Sequence, residues 1–302
     1  MELKTSIETA RQHGERLTSS AISNLQSNLY QGLRKSIGLP TDPPPPCMDE
    51  ADAYFSPNSI VRQVHSDLPS MVIGGFASLL LQMLHPLAMA GVAQHSRYRQ
   101  DPLGRMERTA FFIGVTSFGS RSDAESAIAT VKAVHARVNG VSPDGRPYSA
   151  NDPDLLTWVH AAEVSSFLAG AERYGTLALH DSDKDHYLLE MSRIAYSLGA
   201  EWVPTTRQEL ADYFVAIQPE LEFTEEARQA RNFVLRGVRR LPHELAAHIT
   251  LVSAAQALLP KWAQRQLRIP RLEVLDRVTV EPVAERFSAA LRWMSMDPQP
   301  SG

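Results

Sequence analysis

Cysteine is almost absent: Cys47 is the one thiol in 302 residues. A lone thiol closes no intramolecular disulfide and builds no Cys-based zinc or iron–sulfur centre, so burial must hold the fold and any metal must rest on histidine. Basic charge is not in surplus either. Lys and Arg total 30 against 34 Asp and Glu, a formal charge of −4 with a pI near 6.2. That balance argues against nucleic acid as a partner and gives no long-range steering to a membrane surface. The chain also lacks Gly-x-Gly-x-x-Gly after a strand, a P-loop, Gly-x-Ser-x-Gly and His-Glu-x-x-His, the usual supports of nucleotide, serine-hydrolase and zincin chemistry. The first 20 residues are polar, with no apolar run of the kind a secretory signal needs, which predicts a cytoplasmic protein.

What the chain does have is apolar content, 43% of residues, together with ten histidines. Between Asp67 and Arg97, 29 consecutive positions carry no formal charge. That is longer than the ~20 residues of a transmembrane helix. Pro69, the Gly74-Gly75 pair, Gln82, His85-Pro86 and Gln94 interrupt it, and no aromatic belt flanks it. A central helix buried inside a large helical domain fits this composition better than an integral membrane span.

The remaining pattern predicts an all-α protein. Ile22, Leu25, Leu29 and Leu33 stand at helical spacing before Pro40, and the Pro43–Pro46 run reads as a stiff spacer. Residues 1–46 are therefore expected as an N-terminal arm and 47–302 as the main domain. Ser122-x-x-Glu125 predicts a capped helix from Asp123 to Asn139, and Pro143-Asp144-Gly145 a turn. Asp152-Pro153 opens a helix expected to reach Gly170, and Ser182 one that ends at Gly199. Thr206 and Thr224 cap further helices, and 243–258 and 282–295 continue the series. The one β-branched run is Arg277–Val280.

Histidine is the residue type to weigh for chemistry. His135 extends the apolar row of Ile128 and Val131, so its ring faces the core. It is either a buried neutral imidazole bonded to a carbonyl or an axial ligand presented from an apolar wall. Arg105, Arg108 and Thr109 share one helix face with Phe112, Ile113 and Thr116. Read plainly, the arginines are solvated and pair with Asp101 or Glu107. Read functionally, they clamp a propionate or hydrogen-bond dioxygen. His85 and His95 lie about 80° apart around an ideal helix, which suits no shared metal. His160 and Glu163 form half of a carboxylate di-metal pattern whose second half is absent.

The order of these motifs resembles a known family. Gly74-Gly75, Leu80-Leu81-Gln82, His85-Pro86, Gly91-Val92 and His95-Ser96 lead to Asp101-Pro102, Arg105-x-x-x-Thr109 and Phe118-Gly119. His135 with Val138 and Gly140, Gly145-x-x-Tyr148-x-Ala150, Leu156-x-Trp158-Val159-His160, Leu198-Gly199 and Val203-Pro204-Thr205 follow. Over about residues 60–225 the chain is similar to the family of the fungal MpaB oxygenase and the bacterial latex-clearing rubber oxygenases. The resemblance implies a globin-like helical core, one haem b, and dioxygen chemistry on apolar, sometimes isoprenoid, substrates. It places the iron ligand at His135 and the polar distal pair at Arg105 and Thr109. His95, His160 and Phe112 are then expected as further cofactor contacts, and Phe111 and Phe118 as substrate walls. The rubber enzymes carry a Lys where this chain has Arg108, and their catalytic Glu has no counterpart within Met71–Ser96, which holds no acidic residue. The expected function is a haem b oxygenase acting on a small hydrophobic molecule. A peroxygenase or peroxidase, a haem carrier or gas sensor, and a helical interaction protein are the alternatives. Helices beyond Thr224 could build a homodimer contact.

Overall fold

The computed structural model describes residues 26–32, 34–35, 37–40, 45–237, 242–269 and 271–295. Helices carry 71% of them. Of the N-terminal row, Ile22, Leu25 and Leu33 lie outside the described residues, as do Pro43 and Pro44. Leu29 is exposed, whereas Ile37 is buried in the main core with Leu39 against it.

The uncharged stretch forms two helices rather than one. Helix α1 (Ile60–His65) leads into α2 (Leu68–Gln82), and α3 (Pro86–His95) leaves α2 at an angle of 105°. The break follows from Pro86, which forces His85 into an extended conformation (ψ 114°) and supplies no N–H to a preceding turn. Among the described residues no single helix is long and apolar enough to cross a membrane.

Next come α4 (Pro102–Phe118) and α5 (Arg121–His135), joined by a two-residue turn and packed on each other. The cap of α5 is Ser120, whose hydroxyl accepts from the Asp123 N–H at 3.1 Å, not the expected Ser122. Two serines stand two apart, each with an acid three residues on, and tertiary contacts select the first. Helix α5 stops at His135, four residues before the expected Asn139, because Asn139–Val141 (β1) pairs antiparallel with Pro147–Ser149 (β2). The hairpin turns at Gly145, whose φ of +89° suits glycine.

Helix α6 (Pro153–Tyr174) is the central rod, with α7 (Asp181–Leu198) and α8 (Arg207–Ile217) after it. His180, not Ser182, caps α7, and Asp183 accepts from the His180 N–H at 2.8 Å. The expected caps Asp152, Thr206 and Thr224 are all in place. Helices α9 (Glu225–Arg236), α10 (Pro242–Leu258), α11 (Lys261–Gln266) and α12 (Glu281–Ser295) complete the chain. The β-branched run Arg277–Val280 is no strand: it lies in a π-helical turn, Asp276–Val280.

Helices α2 and α6 approach most closely. A Cβ on Gly170 would fall 2.6 Å from the Ser70 carbonyl, and one on Gly74 2.8 Å from that of Ser166, so only hydrogen at these positions lets the backbones meet. Fully buried Trp158 donates its indole N–H to the Gln82 carbonyl at 3.2 Å, satisfying the end of α2. Around this pair lie two apolar clusters. One centres on Ile73, Leu80, Leu84, Trp158 and Leu251. The other joins Val64, Ile128, Val164, Phe167 and Tyr187, with Phe112 and Ile113 against it.

Candidate functional site

The α4–α5 hairpin decides which candidate residues meet. At ~1.5 Å per residue along either helix, Arg105 and His135 both lie roughly 20 Å from the turn at Gly119-Ser120, toward its open end. Thr109 stands level with Val131, and Phe112 with Ile128. Along α5 the row Ala124, Ile128, Val131, His135 runs from buried to half-buried. Helix α6 starts at the same open end, because the Ala150 N–H donates to the Val138 carbonyl at 2.8 Å and α6 begins at Pro153. His160 lies two turns in, on the face that carries Val164 and Phe167 into the cluster with Ile128 and Phe112. Helices α4, α5 and α6 thus contribute side chains to one apolar cluster.

His135 is half-buried, and its buried Nδ1 has no hydrogen-bond partner. Burial lowers its pKa, so the ring is neutral at pH 7 and keeps a lone pair. Arg105 is partly buried and donates to Ser96 Oγ at 2.7 Å, which fixes the guanidinium while leaving other N–H groups free of a side-chain partner. Thr109 is exposed at the open end, its hydroxyl donating to the Arg105 carbonyl at 3.1 Å. Arg108 lies three residues further along the same helix. It is exposed and pairs with Asp101 at 3.3 Å, the plain reading of that residue. Phe112 is half-buried in the wall, and Phe111 is exposed.

His95 has a different place. Tyr148 donates its one hydroxyl proton to Gln94 Oε1 at 2.8 Å, so His95 Nε2, at 3.1 Å, must be the donor to the Tyr148 oxygen. Gln94 donates in turn to the Val141 carbonyl at 3.0 Å. Exposed His95 thus latches α3 to the β-hairpin beside the open end and commits its Nε2 proton to doing so. His85 packs by Trp158 at a ring separation of 6.1 Å, across α6 from His160. Its pKa is lowered to about 4, chiefly by burial, with Arg146 adding to the shift.

His160 is 6% exposed, and its Nε2 has no partner. Burial lowers its pKa to about 4. One turn on, Glu163 is partly buried and forms no hydrogen bond or ion pair among the described residues; burial raises its carboxyl to about 7. Beyond it runs a closed polar chain. The Ser117 hydroxyl donates to the Ile113 carbonyl at 2.6 Å and so accepts from His65 Nδ1, leaving His65 Nε2 to accept from Tyr187 Oη at 2.8 Å. Buried Arg62 closes the end of α4 by donating to the Cys47, Ser117 and Phe118 carbonyls. The sequence reading missed this chain, and it noticed Glu163 only as half of a metal pattern. Among the described residues no three His, Cys, Asp or Glu side chains gather into a metal-sized group. One signal for Glu163 was available: an acid on an apolar helix with no Lys or Arg at three or four positions either way.

Over residues 62–294 the sequence matches the family model described as the ER-bound oxygenase mpaB/B′ and rubber oxygenase catalytic domain. The chain belongs to this family. The match takes in Arg105, His135, His160 and Glu163 and makes the protein an oxygenase-type oxidoreductase. No curated protein matches the chain, and no solved structure does.

Proposed function

We propose that the protein is a haem b-dependent oxygenase acting with dioxygen on a small hydrophobic, olefinic or isoprenoid molecule, with His135 as the iron ligand. Within an oxygenase family, the observation that carries this reading is the neutral His135 ring. It stands on an apolar row with an unpartnered buried nitrogen, on the hairpin that also carries an arginine fixed by Ser96. Haem needs a single protein ligand, so the absence of a three-residue metal cluster among the described residues is compatible with it. Bound there, haem would supply the redox-active iron that lets dioxygen react with the substrate.

The chain's own residues have distinct tasks in this reading. His135 offers an uncharged nitrogen without the cost of deprotonating an imidazolium. Arg105, held by Ser96, presents its remaining N–H donors to a carboxylate such as a haem propionate. Thr109 gives its proton to the Arg105 carbonyl and keeps its oxygen lone pairs available at the mouth. Phe112 and Ile113 keep the wall apolar and exclude water. Arg108, paired outward with Asp101, contributes charge at the rim. The deciding experiment is the absorption spectrum of protein expressed with haem supplied. A Soret band that disappears in His135→Ala, with far-ultraviolet circular dichroism unchanged, is the expected result. No band in the wild-type protein, or an unaltered band in the variant, overturns the assignment.

A further inference from the structure

Between Arg271 and Ser295 the chain is anchored on one side and exposed on the other. Its inner row is Asp276, Ala284, Ser288 and Leu291, all buried, with half-buried Val280 among them, and the segment packs on α10 and α2. Ion pairs pin it there. Arg271 pairs with Asp276 and donates to Gln256 of α10 at 2.6 Å, Arg173 of α6 pairs with Glu281, and Arg292 donates to Asp67 at 2.6 Å. Yet Leu272, Val274, Leu275, Val278 and Val283 are each more than half exposed. Spacing makes them one patch. Leu275, Thr279 and Val283 each come just before a residue of the inner row and form one edge, while Val274 and Val278 come two before and form the middle. Arg277 and Glu285 come just after inner residues and form the other edge. Both are exposed, and neither has a hydrogen bond or ion pair among the described residues.

We propose that this face is where two copies of the chain pair, antiparallel about a twofold axis near Glu281. In such a contact each patch meets the same patch of the other copy, so every off-axis contact is made twice. The axis brings Arg277 of each copy level with Glu285 of the other along one edge. Along the opposite edge Thr279 meets Val283, with Val278 between. A parallel pairing would lay the charged edge of one copy over the apolar edge of the other and desolvate both charges without partners. The size also fits. Five aliphatic residues at this exposure present on the order of 500 Å² of apolar surface, in the upper part of the range for the largest patch on a monomer. A stable interface takes about 800 Å² from each partner, of which roughly 500 Å² is apolar. A lipid surface is the poorer match, because the exposed acids Glu273 and Glu285 border the patch and an anionic bilayer repels them. The pairing is independent of the haem reading.

Sedimentation velocity of the purified full-length protein, from about 1 to 100 µM, tests the pairing. The wild-type protein should run as a dimer at the upper end of that range. Val278→Glu, which puts a charge into the contact, should weaken the dimer about tenfold or more. Arg277→Glu should weaken it about fivefold, and Arg277→Glu combined with Glu285→Arg should restore it to within about twofold, as the antiparallel arrangement alone requires. Circular dichroism and thermal melts should match the wild type throughout, since all three side chains are exposed. The charge reversals carry the test should Val278→Glu disturb the fold. A wild-type protein that stays monomeric at the highest concentration overturns the proposal, as does a dimer indifferent to these substitutions or one that the double reversal fails to restore. Flotation of a monomeric wild-type protein with phosphatidylcholine–phosphatidylserine vesicles overturns it in favour of lipid.

Discussion

Two helix pairs in this molecule are built on opposite principles. In α2 and α6 most residues are buried, and Gly74 and Gly170 let the backbones approach closely. In α4 and α5 few side chains are buried: Val115, Thr116 and Ser117 on one helix, Ala124 and Ile128 on the other. Arg105, Thr109, Phe112 and His135 all stand on the sparsely packed pair, and His160 and Glu163 stand on the tightly packed one. Functional side chains need room at their tips and firm ground at their roots, and the molecule separates the two.

That contrast can be broken at its strongest point first. Gly170→Ala pushes a methyl group to 2.6 Å from the Ser70 carbonyl, where backbone must move. We expect more than about 4 kcal/mol of destabilisation in urea, or no folded protein. Trp158→Ala removes a fully buried ring and its bond to Gln82, and should cost about 3–5 kcal/mol. A small loss at either position would mean that α2 and α6 are not the rigid half.

Glu163→Gln sharpens the comparison through pH. Burial raises the folded carboxyl from 4.5 to about 7, so its protonated form is the one the fold favours. The wild-type protein loses this contribution as pH rises from about 4 to about 7, and Gln does not titrate. Stability of the variant relative to wild type should therefore grow across that window, by on the order of 2 kcal/mol, and level off above it. A flat difference from pH 4 to 8 would place the carboxyl in water. Arg108→Ala marks the small end of the scale. Its pair with Asp101 is solvated, and we expect a change in stability below about 0.5 kcal/mol. Thermal melts in low and high salt check this, and a larger loss would give the rim a structural role.

Several of these features could be read directly from the residues. The caps at Asp152, Thr206 and Thr224, the end at Gly199 and the all-helical class follow from local hydrogen-bonding options that the chain settles within a few residues. His135 on an apolar row was legible for the same reason, because 3.6-residue periodicity is local. The cap at Ser120 and the β-hairpin were not. Each is a choice between two local solutions made by distant contacts, such as Gln94 and His95 holding the hairpin. Arg108 shows the limit at the site: it sits three residues from Arg105 on the same helix, yet Asp101 turns it outward while Ser96 holds Arg105.

The sequence by itself determined which segments are helical, which residue types are available and that histidine must carry any metal, because propensity, capping and composition act over one or two turns. Only the tertiary structure decided that Ser96 holds Arg105 while Asp101 pairs with Arg108, that His95 is spent on a latch, and that His135 and His160 each keep a buried nitrogen without a partner. Partnership and desolvation depend on what other helices bring to within a few ångströms, and no local pattern encodes that.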